Sequence, residues 1–167
     1  MEHKINDIVL YGSHGVCRIT DITERKIGAE TLEYYILNPI YDEKSTIFVP
    51  VQNQLLLGKM QQIPSKDEIM SALDIAVNED PEWIPNDSDR SVNYREVIDS
   101  SVLTDVIGMV KALYIHREKQ ASCGKKLHVS DERFLKEAEK IVFDEMALVL
   151  GIDRKSARQF LEDKLGI

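Results

Sequence analysis

Asp7-Ile-Val-Leu-Tyr-Gly-Ser-His-Gly-Val-Cys-Arg-Ile19 reads as a short strand, a glycine-punctuated turn and a second strand. Ile8, Val9, Leu10 and Tyr11 are β-branched, aliphatic or aromatic, the types that fit a half-buried pleated surface. Gly12 and Gly15 bracket Ser13-His14 and supply two residues free to take positive φ. The stretch predicts a hairpin-like start and not a catalytic loop. Working outward, strand-like runs recur over 16–25, 31–37 and 46–51, separated by Gly, Asn-Pro or charged turns. Short strands so closely spaced predict a small β barrel over residues 1 to about 58. Tyr11, Tyr34, Tyr35 and Phe48 are then expected to pack in its core or across strands.

The pattern changes after Pro64. Ser65-Lys-Asp-Glu68 has the spacing of a capping box, and Ile69, Leu73 and Val77 recur every fourth residue, so a helix is predicted over 66–78. A polar linker follows, in which Pro81 and Pro85 restrict the backbone on either side of Trp83, the one tryptophan. Further helices are predicted over 88–98, over 102–119 with Ser100 and Ser101 as cap candidates, and from Ser130 with Asp131 and Glu132 in its first turn. Gly151 is placed to end that helix and Asp153 to cap the last one. The expected fold class is α+β, β then α: an N-terminal small Tudor/SH3-like barrel followed by an all-α helical bundle. The expected divisions are 1–62 for the β domain, 63–86 for a helix and linker, and 87–167 for the helical domain.

Composition narrows the function. Of 167 residues, 43% are apolar and 30% charged, enough apolar surface for burial to offset chain entropy. No apolar run reaches a membrane span and the first residues lack the pattern of a signal peptide, so a cytoplasmic protein is expected. In that reducing setting Cys17 and Cys123 are expected to be free thiols. A net charge of -8 argues against a nucleic-acid partner, yet Lys111 to Lys126 carries five basic residues against Glu118 alone. That run reads either as a solvated helix face or as a phosphate-binding patch, and the sequence leaves both open. Motifs for phosphate loops, dinucleotides, zinc proteases and serine hydrolases are absent. Adjacent Asp131-Glu132 and Asp144-Glu145 point to different azimuths and are expected to be surface charges, while His116, Cys123 and His128 are irregularly spaced for a metal. The expectation is therefore no enzyme, no metal and no cofactor. Trp83 reads either as a domain-interface anchor or, beside basic residues, as a group that inserts at a base step.

The whole chain resembles the CarD/CdnL-type bacterial transcription regulators, whose N-terminal domain is shared with the transcription-repair coupling factor. The likeness rests on Asp7-Ile-Val-Leu-Tyr11, His14-Gly15, the strand ending at Arg25, Glu33-Tyr34-Tyr35 and Phe48-Val49-Pro50-Val51. In the second half it rests on Val110-Lys-Ala-Leu-Tyr114, on the block from Gly124 to Leu135 and on Phe143-Asp-Glu-Met-Ala-Leu-Val-Leu150. This second block is foreign to the coupling factor and favours the stand-alone regulator. The resemblance implies docking on the RNA polymerase β subunit through a strand edge. It also implies contact of the helical domain with promoter DNA at the upstream edge of the melted region, where a tryptophan wedge stabilises the open complex. By position, Arg25 matches a polymerase-contacting arginine, Phe48 stands where some relatives carry a second one, Trp83 is the candidate wedge, and Arg133 falls on or beside a DNA-contacting position. Arg90, Lys125 and Lys126 join the expected DNA contacts on charge grounds. The expected protein is a monomer, away from membranes, that binds free DNA weakly without polymerase. The alternative is a protein-interaction adaptor that never touches DNA.

Overall fold

The computed structural model describes residues 3–42 and 44–167, so the first two residues of the expected β domain lie outside it. The chain forms two compact units, Met1–Ile63 and Pro64–Ile167. The first holds five antiparallel strands: β1 (Ile8–Tyr11), β2 (Val16–Ile27), β3 (Glu30–Pro39), β4 (Ile47–Pro50) and β5 (Met60–Gln62), with a four-residue helix α1 (Gln54–Leu57). The glycine turn is a 3-10 turn over Gly12–His14, closed by Tyr11 N–H donating to the Gly15 carbonyl at 3.0 Å. Gly15 sits at φ 71° and ψ -143°, a region that strains any residue with a Cβ.

The order β4-β3-β2-β1-β5 differs from the expected barrel, because β4 and β5 remain edges and the sheet is not closed. Val9, Tyr11, Cys17, Ile19, Tyr35, Leu37, Val49 and Met60 form its core on one face. Tyr11 and Tyr35 thus pack inward as expected, whereas Phe48 is 39% exposed on the opposite face. A register shift between Ile19 and Asp21 inserts one extra residue, Thr20, whose hydroxyl donates to the Ile36 carbonyl at 3.2 Å and to Asn38 at 2.7 Å. Because side chains alternate with period two, this bulge moves Ile22 onto the core face and Arg25 onto the outer face, the one that carries Phe48.

The second unit contains α2 (Lys66–Asn78), α3 (Asp87–Ser100), α4 (Leu103–Ser122), α5 (Val129–Leu150) and α6 (Arg154–Leu165). The capping box is present: Ser65 Oγ accepts from Glu68 N–H at 3.2 Å and Glu68 accepts from Ser65 N–H at 2.7 Å. The two central helices α4 and α5 pack on each other, α2 lies on α4, α6 on α5, and α3 contacts both. Two caps differ from expectation. Ser101, at φ 51°, ends α3 in the left-handed region instead of opening α4, and His128 caps α5 where Ser130 was expected.

The central helices also carry charge inside. Lys111 is 7% exposed, and its ammonium donates to the carbonyls of Ala76 (2.8 Å), Val77 (3.3 Å) and Glu79 (2.7 Å). It satisfies the orphan carbonyls at the C-terminus of α2, whose last turn has no basic residue of its own. On α5 the expectation of surface carboxylates holds for Glu132 and fails for the other three: Asp131 is 2% exposed, and Asp144 and Glu145 are fully buried. Asp144 is held by Lys140 at 3.2 Å and Arg154 at 2.8 Å. Neither Glu145 oxygen finds a hydrogen-bond partner among the described residues. Burial, then the Asp144 charge beside it, push the Glu145 carboxyl up to about 8. The helix runs through the middle of the bundle, so an azimuth that would face water elsewhere faces protein here.

Candidate functional site

In the β unit, Arg25 and Phe48 meet across β3. The guanidinium carbon lies 4.2 Å from the Phe48 ring centroid, a cation–π contact on the face away from the core. Arg25 is exposed and makes no hydrogen bond or ion pair among the described residues. Its five N–H donors are therefore available to a partner, and the aromatic ring beneath holds them in place. Ile27, 56% exposed at the end of β2, adds an apolar neighbour on the same strand.

In the helical unit, the segment between α2 and α3 has no helix or strand of its own, and it carries Trp83. The indole stacks on the His116 imidazole of α4, centroids 3.6 Å apart and planes 10° from parallel. The Arg90 guanidinium carbon lies 4.5 Å from the Trp83 ring centroid. Arg90 belongs to the first turns of α3, and Asn86 caps that helix by accepting from the Ser88 and Asp89 N–H groups. Arg90 is only 2% exposed: Nε and Nη2 donate to the two Asp131 oxygens at 2.9 and 2.8 Å, Nη2 to Asp87 at 2.7 Å, and Nη1 to the Ile84 carbonyl at 2.8 Å. The expectation that Arg90 contacts phosphate is corrected by this geometry. With Nη1 also donating to the Pro85 carbonyl at 3.4 Å, all five N–H donors are engaged, and the guanidinium cannot leave without stranding Asp131.

Trp83, Arg90, His116, Lys126 and His128 line one cleft of about 490 Å3. A second recess of about 320 Å3 lies against Trp83 and is bounded by Pro81, Ala112, Ile115 and Lys119. Burial, then the charge of Arg90, hold the His116 imidazole below its ordinary range. Gln120, one turn on, sits with its amide nitrogen 3.1 Å from His116 Nε2.

The other expected DNA contacts are exposed but do not line this cleft. Lys125 is exposed in the turn after α4. Arg133 is 65% exposed on α5, 3.9 Å from Glu137 and with its guanidinium carbon 5.3 Å from the Phe134 ring centroid. Trp83, Arg90 and Lys126 are brought together, whereas Lys125 and Arg133 are not among the residues that line the cleft. With Lys111 buried, the basic run keeps Arg117, Lys119, Lys125 and Lys126 against Glu118 at the surface. Of the residues that shape the site, His116 was weighed in the sequence only as a metal ligand, and Gln120 was not singled out. Their spacing of four on a helix was the available signal.

Two family models together match most of the chain: residues 3–63 match the CarD-like/TRCF RID domain, and residues 68–162 match the CarD C-terminal domain. No curated protein matches the chain. Among the described residues no helix is long and apolar enough to cross a membrane.

Proposed function

Since the chain belongs to the CarD-like family of transcription regulators, which interact with RNA polymerase, we propose that it docks on the polymerase β subunit and stabilises the open promoter complex through the helical unit. The Arg25–Phe48 face is the docking surface, where an exposed guanidinium held over an aromatic ring offers a charged fork and an apolar plate side by side. Trp83 is the group that inserts at the upstream edge of the melted DNA, with Lys126 beside it and Lys125 and Arg133 as further phosphate contacts. No step of this action makes or breaks a covalent bond.

The observation that carries the reading is the fixed indole. Trp83 is stacked within 10° of His116 and within 4.5 Å of the Arg90 guanidinium, so its conformational freedom is already restricted before DNA arrives. A chain of net charge -8 binds free DNA poorly, and docking on polymerase supplies the effective concentration it lacks. Open-complex lifetime on a linear promoter fragment tests this directly: Trp83→Ala shortens it while leaving polymerase binding intact. Unchanged lifetime removes the wedge, and failure to bind the β subunit removes the whole reading.

One observation favours the adaptor alternative. Arg90 and Lys111 are buried structural groups, so part of the apparent basic patch cannot reach DNA. A polymerase complex that is insensitive to salt and leaves no promoter footprint supports that alternative.

A further inference from the structure

We propose that His116 is the positioning residue of this site: its uncharged imidazole is the platform that sets the plane of the Trp83 indole, and protonation of that ring releases it. The inference rests on the reading of Trp83 as the DNA-inserting group for its consequence at the promoter, but not for its geometry.

Trp83 lies outside every helix and strand, so no hydrogen-bonded ladder fixes the direction of its side chain. Orientation must come from what its faces and edges touch, and the ring contacts are His116 and Arg90. Arg90 is permanently charged and bonded to Asp131 and Asp87, so it is a constant. His116 is the partner that changes charge near neutral pH. A centroid separation of 3.6 Å at 10° is close face-to-face contact, so small changes at the imidazole are passed directly to the indole.

The charged and titratable groups around His116 come from three helices and the turn between α4 and α5, with Asp87, Lys126 and His128 lining the same cleft. Arg90 on α3 and Lys119 on α4 oppose a positive imidazole, while Asp131 on α5 favours one but is already bound as a fork to Arg90. Burial opposes the charge most strongly. With the Gln120 amide donating to Nε2, an assignment made from the hydrogen-bond geometry, the neutral ring carries its proton on Nδ1. A second proton turns Nε2 into a donor. It then meets the Gln120 NH2 donor, and the ring gains a charge beside Arg90. Turning the amide over answers the donor clash alone; the new charge beside Arg90 remains, and that repulsion displaces the imidazole beneath Trp83.

The single tryptophan makes the full-length protein its own reporter. We expect acrylamide quenching of Trp83 emission to rise as pH falls from about 8 to about 5 through an apparent value under the ordinary histidine range, with far-ultraviolet circular dichroism unchanged. His116→Phe keeps an aromatic face and removes the proton, so it should show wild-type quenching at neutral pH and no titration. His116→Ala should quench strongly at every pH and shorten the open-complex lifetime at neutral pH by about two- to ten-fold, the scale of one stacked aromatic pair. If His116→Ala does not fold, His116→Gln, which retains a polar group but no ring face, is read in its place. Wild-type quenching in the ring-less variant, or a titration that survives in His116→Phe, overturns the proposal. Should Trp83→Ala leave open-complex lifetime unchanged, the wedge reading falls while the quenching measurements still decide the role of His116.

Discussion

Arg25 over Phe48 at 4.2 Å and Arg90 over Trp83 at 4.5 Å are the same contact placed in opposite surroundings. The first guanidinium sits on an outer sheet face with no carboxylate bonded to it among the described residues. The second is buried against Asp131, Asp87 and backbone carbonyls, and the half-buried aromatic ring is the more accessible partner of the pair. An arginine beside an aromatic therefore says little until its carboxylates are located. Where they are buried with it, the arginine is scaffold and the ring is presented; where they are missing, the arginine itself is presented.

The sharpest way to break that contrast is Arg90→Ala. It leaves Asp131 buried without its fork and should lower stability by about 3–5 kcal/mol in denaturant unfolding, and Arg90→Lys should recover little because an ammonium cannot form the fork. A loss under about 1 kcal/mol would place Arg90 among ordinary surface groups.

Glu145 tests the same logic with the counter-ion absent. Its carboxyl is raised to about 8 in the folded protein, so the unfolded chain gives up that proton first. The stability it costs is absent in acid, grows as pH rises through the ordinary carboxylate range, and levels off above about 8. Glu145→Leu should raise stability at pH 8 by about 2 kcal/mol and flatten this slope, as thermal or urea unfolding across pH would reveal. A variant less stable than wild type at pH 8 would mean the carboxylate is satisfied.

His116 contributes with the same sign of neutrality but the opposite direction in pH. Its folded-state value is lowered, so the stability it contributes is complete above the ordinary histidine range and declines as pH falls through it. The decline is expected to be smaller than that of Glu145, since the imidazole is only partly buried. His116→Phe should remove it from an unfolding titration.

The smallest effect on folding, and the most selective effect on binding, is expected at the exposed pair. Arg25→Ala and Phe48→Ala should each change stability by under about 0.5 kcal/mol. Each should weaken binding to the polymerase β subunit, with a coupling near 0.5–1 kcal/mol in a double-mutant cycle. Wild-type affinity in both variants would move the docking surface elsewhere.

Local signals in the sequence carried much of the fold. The Ser65–Glu68 box placed α2 at 66–78, and Asp153 and Gly151 marked the ends of helices because caps act within a turn. Long-range features were not legible. Arg90 is an ordinary cation on paper, and its partner Asp131 is 41 positions away. Asp144 and Glu145 look like a solvated helix face, and only the crossing of α5 through the bundle puts them inside. Thr20 carries no bulge signature, yet the bulge decides that Arg25 shares a face with Phe48. The short strand β5 escaped notice because Met60-Gln-Gln62 has little β enrichment. Closure of the sheet was inferred from strand spacing, which does not determine whether the edges meet.

Past Glu33, whose carbonyl still accepts from Val51 N–H at 2.9 Å, β2 and β3 continue as a ribbon of two strands alone, with Glu24 directly opposite Glu33 at its base and Gly28 at the tip. Two strands without a third to lean on hold poorly, and a pair of like charges loosens them further. Amide protons from Arg25 to Thr31 should thus trade with heavy water long before those of Val16–Ile19. The free protein then carries Arg25 on a hairpin that breathes. A partner that clasps it would silence that breathing, and exchange slowed at this tip would mark the moment of attachment.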